Sequence, residues 1–239
     1  MNEINSFKKG IIDGLPICFG YLSVAFAFGI FAVDGGLTIL QAVLISMTNV
    51  TSAGQLAGVP IMLGGGLLTE LAATQFVINL RYALMSVSIS QKLGKSVGML
   101  DRFIISFVNT DEVFAVASGN KQNVGKRYLY GLILTPYIGW SFGTLLGAVA
   151  GNILPTSVIS ALGIAIYAMF IAIVVPVAKE SRPTALCALS AIIFSCLFKY
   201  IPVLNTVPSG FVIIICAVVA SVLFALLFPI PQENEVPER

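Results

Sequence analysis

Two apolar segments of this 239-residue chain each contain two charged side chains. One segment holds Glu70 and Arg81, and another holds the consecutive polar residues 109–112, which include the carboxylates Asp111 and Glu112. A charged group within a bilayer is costly unless it is paired or hydrated, so each of these residues is a candidate functional residue. Together they provide a cation that can meet a carboxylate, and carboxylates that can meet an ammonium group or accept a proton.

Arg81 needs a partner from outside its own segment. If Glu70 and Arg81 lie on one helix, they are about 16 Å apart along its axis, because each residue advances the helix by about 1.5 Å. They cannot pair directly, and Asp111 or Glu112 is the obvious partner for Arg81. A purely structural ion pair, or an arginine that extends from a helix end towards the interface, is the competing interpretation.

Neutral polar residues accompany these charges. Four of them fall on one face of a helix at 100° per residue, and three in the preceding apolar segment share another face. These are Gln75, Asn79, Tyr82 and Ser86 in the first group, and Thr48, Ser52 and Gln55 in the second. Hydrogen bonding between helices would also explain both groups. We select as substrate-binding candidates Ser52, Gln55, Asn79, Arg81, Asn109 and Thr110, and as proton-coupling candidates Asp111 and Glu112.

Residue types that serve most enzymes are missing or scattered. The sequence contains no histidine, which is the commonest general base and metal ligand. Its four cysteines lie singly in apolar runs without metal-ligand spacing. We therefore expect no enzymatic activity, no catalytic residues, no metal and no cofactor. A net charge of +2 without a basic run gives no indication of nucleic-acid binding.

The elements that carry these residues are predicted to be membrane helices. The chain is 57% hydrophobic and 10% charged, with a mean hydropathy of +0.97, whereas soluble domains are about 25% charged. Apolar runs of about 20 residues match the thickness of a bilayer. They are apolar on every side, unlike the alternating strands of a transmembrane barrel. We predict an all-α polytopic helical membrane protein with about seven (six to eight) transmembrane segments, one or more of them broken or re-entrant.

The apolar segments fall into one membrane domain. The first follows Lys8 and Lys9 but is too long for a signal-peptide core, so we expect it to be a retained span. We predict a single transmembrane domain over residues 1–230 and a polar, disordered tail over residues 231–239. The segments are residues 14–33, 38–57, 67–90, 103–118, 128–150, 157–177, 183–200 and 208–229.

The distribution of positive charge argues against a complete crossing by residues 103–118. Cationic loops tend to be cytoplasmic, yet the basic stretches 91–102 and 119–127 would lie on opposite sides if this segment crossed. We predict a helix that breaks and returns, with Asn109 or Thr110 capping its second half. A cytoplasmic N-terminus then requires one of segments 38–57 and 67–90 to be irregular, with Lys199 as a lone exception. An interfacial loop between two short helices is the competing interpretation.

Small and aromatic residues allow three further expectations. Glycines at every fourth position from 139 to 151 predict close helix packing. Residues 20–29 and 139–151 are weakly similar, which raises the possibility of an inverted repeat. Tyr137 and Trp140 are typical of interfacial anchors. From the residues alone, the prediction extends to a transporter of a small solute.

Five ordered motifs resemble the AzlC-type branched-chain amino acid exporter family over residues 10–180. They are Gly14-Leu15-Pro16 with Gly20-Tyr21 and Phe28-Gly29, Ser52-Ala53-Gly54-Gln55, Asn79-Leu80-Arg81-Tyr82, Thr110-Asp111-Glu112-Val113-Phe114-Ala115, and Tyr137-Ile138-Gly139-Trp140 with Gly143-Thr144-Leu145-Leu146-Gly147.

This resemblance implies a multi-pass protein of the cell membrane that exports valine, leucine, isoleucine or similar amino acids. It also implies a small AzlD-type membrane subunit as partner and the proton gradient as energy source. Two positions depart from the family pattern, which usually has histidine at Tyr82 and often an acidic residue at Ala165. A non-transporting assembly subunit or a channel-like subunit is the competing function.

Overall fold

The computed structural model describes residues 3–151, 153–155, 157, 171, 174–176, 178–179 and 181–229. Within these residues, nearly all the regular structure is helical. The helices are α1 (Phe7–Asp34), α2 (Ile39–Thr48), α3 (Ser52–Leu63), α4 (Leu68–Ser90), α5 (Met99–Phe107), α6 (Asp111–Ser118), α7 (Lys126–Gly151), α8 (Arg182–Tyr200) and α9 (Ser209–Leu227), with a 3-10 turn at Leu204–Thr206. Two short strands, β1 (Glu3–Ile4) and β2 (Asn123–Val124), pair in parallel.

The predicted all-α polytopic membrane fold is confirmed. Within the described residues, α1, α7, α8 and α9 are long and apolar enough to cross a membrane, and α4 has 23 residues. Most of the predicted segment 157–177 lies outside the described residues, as does the whole of the tail 231–239.

Helices α1 and α7 pack closely against each other along their length. A Cβ atom at Gly139 or Gly143 would lie 2.6 Å from the carbonyl oxygen of Cys18 or Leu22 respectively, so only glycine allows the two backbones to approach this closely. The predicted close packing of the glycine stripe is therefore confirmed. Because both series of contacts ascend in sequence, the two helices run parallel, and residues 20–29 and 139–151 are not inverted relative to each other as the repeat hypothesis required.

The predicted single segment 38–57 is two short helices. A capping box between Thr38 and Gln41 starts α2, which ends at Thr48 with Asn49 as its C-cap, and α3 begins after Thr51. Leu63, at the end of α3, returns to the turn before α2, since a Cβ atom on Gly35 would lie 2.9 Å from its Cδ1 atom. Helices α2 and α3 thus form a re-entrant pair.

This break overturns the expectation that Thr48, Ser52 and Gln55 share one helical face. Thr48 is the last residue of α2, and its hydroxyl donates to the carbonyl oxygen of Leu44 at 2.7 Å within that helix. Ser52 is the first residue of α3. The expected irregularity of one of the two early segments is confirmed, and it falls in residues 38–57.

The predicted segment 103–118 is also broken and re-entrant. Helix α5 ends at Phe107 and α6 begins at Asp111, with Thr110 as its N-cap. The ammonium group of Lys92 donates to the carbonyl oxygens of Ser118 and Asn120. These contacts, together with a bridge between Leu93 and Val124, hold the residues before α5 beside those after α6.

The two basic stretches therefore lie at the same end of the molecule, as predicted from their charge. The N-terminus joins them there, because β1 pairs with β2. We call this end, formed by residues 3–9, 91–102 and 119–127, the basic end. Helix α4 runs from the opposite end to the basic end. It begins five residues after Leu63, which lies beside Gly35 at the far end of α1, and it ends shortly before Lys92, which lies beside Ser118.

Candidate functional site

The polar face of α4 holds the two helix breaks together. On one side, the amide of Asn49 donates to Gln75 Oε1 at 3.1 Å and the hydroxyl of Thr51 donates to Asn79 Oδ1 at 3.0 Å. Further along α4, Ser86 Oγ accepts from Asn109 Nδ2 at 3.4 Å. The face predicted from sequence is thus confirmed as one side of α4, and it supplies the polar groups that non-helical backbone needs inside a membrane.

A cavity of about 850 Å³ opens beside the two breaks. Its walls come from α1, α4, α7 and the first turns of α3 and α6. We call it the central cavity. Most of its lining is apolar. The candidate residues that line it are Ser52, Arg81, Thr110, Asp111 and Glu112.

Arg81 and Asp111 form an ion pair on the cavity wall. Arg81 Nη1 lies 2.7 Å from Asp111 Oδ2, and the side chains are 49% and 46% exposed. Arg81 Nη2 also donates to the hydroxyl of Tyr82 at 3.2 Å, and its guanidinium carbon lies 4.9 Å from the centre of that ring. The expectation that a carboxylate of residues 111–112 pairs with Arg81 is therefore confirmed.

Glu112 contacts α1 instead of Arg81. The hydroxyl of Tyr21 donates a hydrogen bond to Glu112 Oε2. The indole ring of Trp140 meets the Tyr21 ring edge-on, with centroids 5.1 Å apart, and Trp140 is only 3% exposed. The prediction that Trp140 is an interfacial anchor is thus wrong. Because α7 packs against α1, the side chain of Trp140 is buried in the wall of the central cavity.

The first turns of α3 and α6 line the central cavity. Thr51 and Thr110 are the N-caps of α3 and α6, and neither side chain accepts a capping hydrogen bond in the described structure. A helix N-terminus carries roughly half a positive charge. Asp111 and Glu112 lie in the first turn of α6, as predicted, and offset part of this field.

Asn79 and Asn109 line a smaller cavity between the breaks. It has a volume of about 170 Å³ and is also lined by Thr51 and Thr110. Asn109 is 2% exposed, and its Oδ1 atom has no hydrogen-bond partner among the described residues. We call this space the junction cavity. The substrate-binding candidates Asn79 and Asn109 therefore line the junction cavity and not the central cavity.

Gln55 is the candidate that the structure places away from both cavities. It is 1% exposed, and its amide donates to the hydroxyl of Ser46 at 2.8 Å. That hydroxyl lies 2.6 Å from Thr144 Oγ1, so Gln55 belongs to a chain of hydrogen bonds that joins α2, α3 and α7.

Sequence reasoning missed the aromatic part of the wall. Tyr21, Tyr82 and Trp140 all line the central cavity. Tyr82 was assigned only to the polar face, Tyr21 only to a family motif, and Trp140 to an interfacial anchor. Tyr82 lies beside Arg81 and Tyr21 lies beside Glu112, so aromatic rings border the charged groups of the cavity. This combination suits a solute with a polar head and an apolar side chain.

A model of one protein family, described as AzlC protein, matches residues 16–154 of the chain. The chain belongs to the AzlC family. The matched region contains all eight candidate residues and reaches from α1 to just beyond α7, so it includes both re-entrant pairs. Members of the AzlC family are membrane proteins generally linked to transport.

Curated relatives of this chain are also named as membrane proteins. It is 37% identical to an uncharacterized membrane protein of Archaeoglobus fulgidus over 71% of this chain and 75% of that protein. It is 29% identical to the inner membrane protein YgaZ of Escherichia coli over 79% of each chain. An uncharacterized membrane protein of Helicobacter pylori is 23% identical over 62% of this chain and 66% of its own length. No solved structure gives a significant match.

Proposed function

We propose that the chain is the large subunit of a secondary transporter that exports branched-chain or other small hydrophobic amino acids across the cell membrane. Export is coupled to protons and requires a small membrane partner. The observation that carries this proposal is the half-exposed Arg81–Asp111 ion pair on the wall of a largely apolar cavity. Intramembrane charges that face a cavity are typical of solute and proton pathways.

The central cavity suits a zwitterion with an apolar side chain. In the proposed complex, the carboxylate meets Arg81 and the amides of the first turn of α6, and the ammonium group meets Asp111. The side chain packs against Ile17, Val50 and Trp140, which line the same cavity. The volume of about 850 Å³ is within the usual range for small-molecule sites.

Glu112 is the proposed proton carrier, together with Asp111. Its carboxylate accepts a hydrogen bond from Tyr21 and therefore joins α6 to α1. Protonation removes the negative charge that favours this hydrogen bond. The contact between the re-entrant pair and α1 weakens in consequence, which links proton binding to movement of the cavity wall. Broken helices that move against a fixed scaffold are a common basis of alternating access.

Efflux of labelled valine from preloaded cells tests this function. The chain is expressed with and without its small membrane partner, and the same assay is applied to Arg81→Ala. Arg127→Ala is the matched control, because Arg127 is exposed at the basic end and does not line the central cavity. We expect efflux that requires both chains, is lost in Arg81→Ala and persists in the control.

Two results would overturn the proposal. Absence of efflux with both chains present excludes valine export. In that case valine should also leave the unfolding temperature of the purified protein unchanged, because only a ligand that binds the folded protein raises it. Full efflux in Arg81→Ala removes the ion pair from the substrate site.

A further inference from the structure

A third cavity lies between α4 and α5, on the basic-end side of the second break. It has a volume of about 300 Å³. Its lining residues include one cation, Arg102, and no carboxylate. The remaining walls are mostly apolar, with Ile89 and Phe103 on opposite helices and serine hydroxyls between them. We call this space the vestibule.

Arg102 differs from Arg81 in its partners. It is exposed and forms no ion pair with any carboxylate in the described part of the chain, whereas Arg81 is paired with Asp111. A free guanidinium group on the wall of a cavity can bind a carboxylate through two parallel hydrogen bonds. Its charge also attracts anionic groups from solution.

Asn109 also lines the vestibule. It is buried, it donates to Ser86 Oγ, and its Oδ1 atom has no protein partner within the described residues. A buried acceptor without a partner is costly. An ammonium group can provide the missing hydrogen bond. An α-amino acid carries its ammonium and carboxylate groups on one carbon, so it contacts Arg102 and Asn109 in succession as it moves inward. Arg102 supplies a donor for the carboxylate, Asn109 an acceptor for the ammonium group, and the remaining lining is mostly apolar.

The vestibule adjoins the proposed substrate site through shared lining residues. Ser106 and Asn109 line both the vestibule and the junction cavity. Tyr82 and Thr110 line both the junction cavity and the central cavity. The three spaces therefore lie in series, from the basic end to the Arg81–Asp111 pair.

We propose that the vestibule is a loading site for an apolar amino acid at the cytoplasmic side, in which Arg102 binds the carboxylate before the solute passes the junction cavity. This proposal rests on the proposed export function and on the cytoplasmic location of the basic end. Arg102 determines which solutes are captured there, so compounds without a carboxylate bind less well.

Transport kinetics in inside-out vesicles provide the first test. The uptake rate of valine is measured against valine concentration for the wild type, Arg102→Gln and the control Arg127→Gln. We expect Arg102→Gln to raise the half-saturation concentration about tenfold, the effect of losing one charge-assisted interaction, with a similar maximal rate and an unchanged control. If Arg102→Gln behaves as wild type while Arg81→Ala abolishes transport, the loading site is refuted and the export function stands.

Thiol labelling provides a readout that does not require transport. Ser90 lines the vestibule, so Ser90→Cys is introduced into a variant whose four native cysteines are replaced by alanine. We expect valine to slow labelling from the cytoplasmic side, valine amide to have little effect, and Arg102→Gln to remove the protection. Labelling that valine does not slow would overturn the loading site, whatever the transport assay shows.

Discussion

The ion pair between Arg81 and Asp111 allows a quantitative test of the cavity wall. Its atoms are 2.7 Å apart, but both side chains are about half exposed. Exposed pairs contribute about 0.2–1 kcal/mol, and breaking a buried pair costs about 3–5 kcal/mol. Because solvent screens part of the attraction, we expect a coupling free energy of about 1–2 kcal/mol between the two side chains.

Asp111 has a second contribution to the free energy of unfolding. It lies in the first turn of α6, where a negative charge gains about 0.3–1 kcal/mol from the helix dipole. Asp111→Asn should therefore cost about 1.5–3 kcal/mol, and Arg81→Gln about 1–2 kcal/mol. The double variant should cost about as much as Asp111→Asn alone, because the pair can be lost only once.

Thermal unfolding of the purified protein in detergent measures these differences. For a chain of this length, about 1 kcal/mol corresponds to a shift of about 2–4 °C. Lys9→Gln is the control, because its ion pair with Asp13 is at the surface of the basic end and should contribute little. If the loss in the double variant equals the sum of the two single losses, Arg81 and Asp111 do not interact and the reasoning fails.

Three further predictions concern helix packing, the second re-entrant pair and proton coupling. Gly143→Ala should lower the unfolding temperature, because its Cβ atom would lie 2.6 Å from a carbonyl oxygen of α1. Gly20→Ala is the control and should leave the unfolding temperature unchanged, because its Cβ atom would have no atom within 4 Å. Equal unfolding temperatures of the two variants would contradict the close packing of α1 and α7. Lys92→Ala should speed hydrogen exchange at the end of α6, where its ammonium group binds two carbonyl oxygens; unchanged exchange would show that this contact does not hold the pair. Tyr21→Phe should slow valine efflux, because the hydrogen bond from Tyr21 to Glu112 that joins α1 to α6 is lost. An unchanged efflux rate would remove this contact from proton coupling.

The second helix break could be predicted from sequence because two independent signals agreed. Four consecutive polar residues at 109–112 cannot hide on one side of a helix, and the basic stretches around the segment had to share a side. The pairing of Arg81 with a carboxylate of this break followed from helix geometry, since Glu70 was too far along the same helix. Local chemistry and charge distribution were sufficient in this part of the chain.

The position of the first break could not be predicted in the same way. Residues 38–57 are apolar enough for one continuous helix, and the break at residues 49–51 depends on hydrogen bonds from Asn49 and Thr51 to side chains of α4. The wall position of Trp140 likewise depends on the register between α1 and α7. Both features arise from contacts between segments distant in sequence, which periodicity does not report.

The parallel contact between α1 and α7 has a consequence for how the protein is made. These helices are the first and the last elements of the region that holds both re-entrant pairs, and Gly29 of α1 meets Thr144 and Ala148 of α7. The ribosome therefore synthesises both re-entrant pairs, α2–α3 and α5–α6, before it synthesises α7. Before α7 is inserted, α4 can already supply polar partners to both breaks, but the face of α1 that packs against the glycines of α7 still lacks its partner. The two re-entrant pairs must therefore be held by α1 and α4 alone until α7 completes the scaffold.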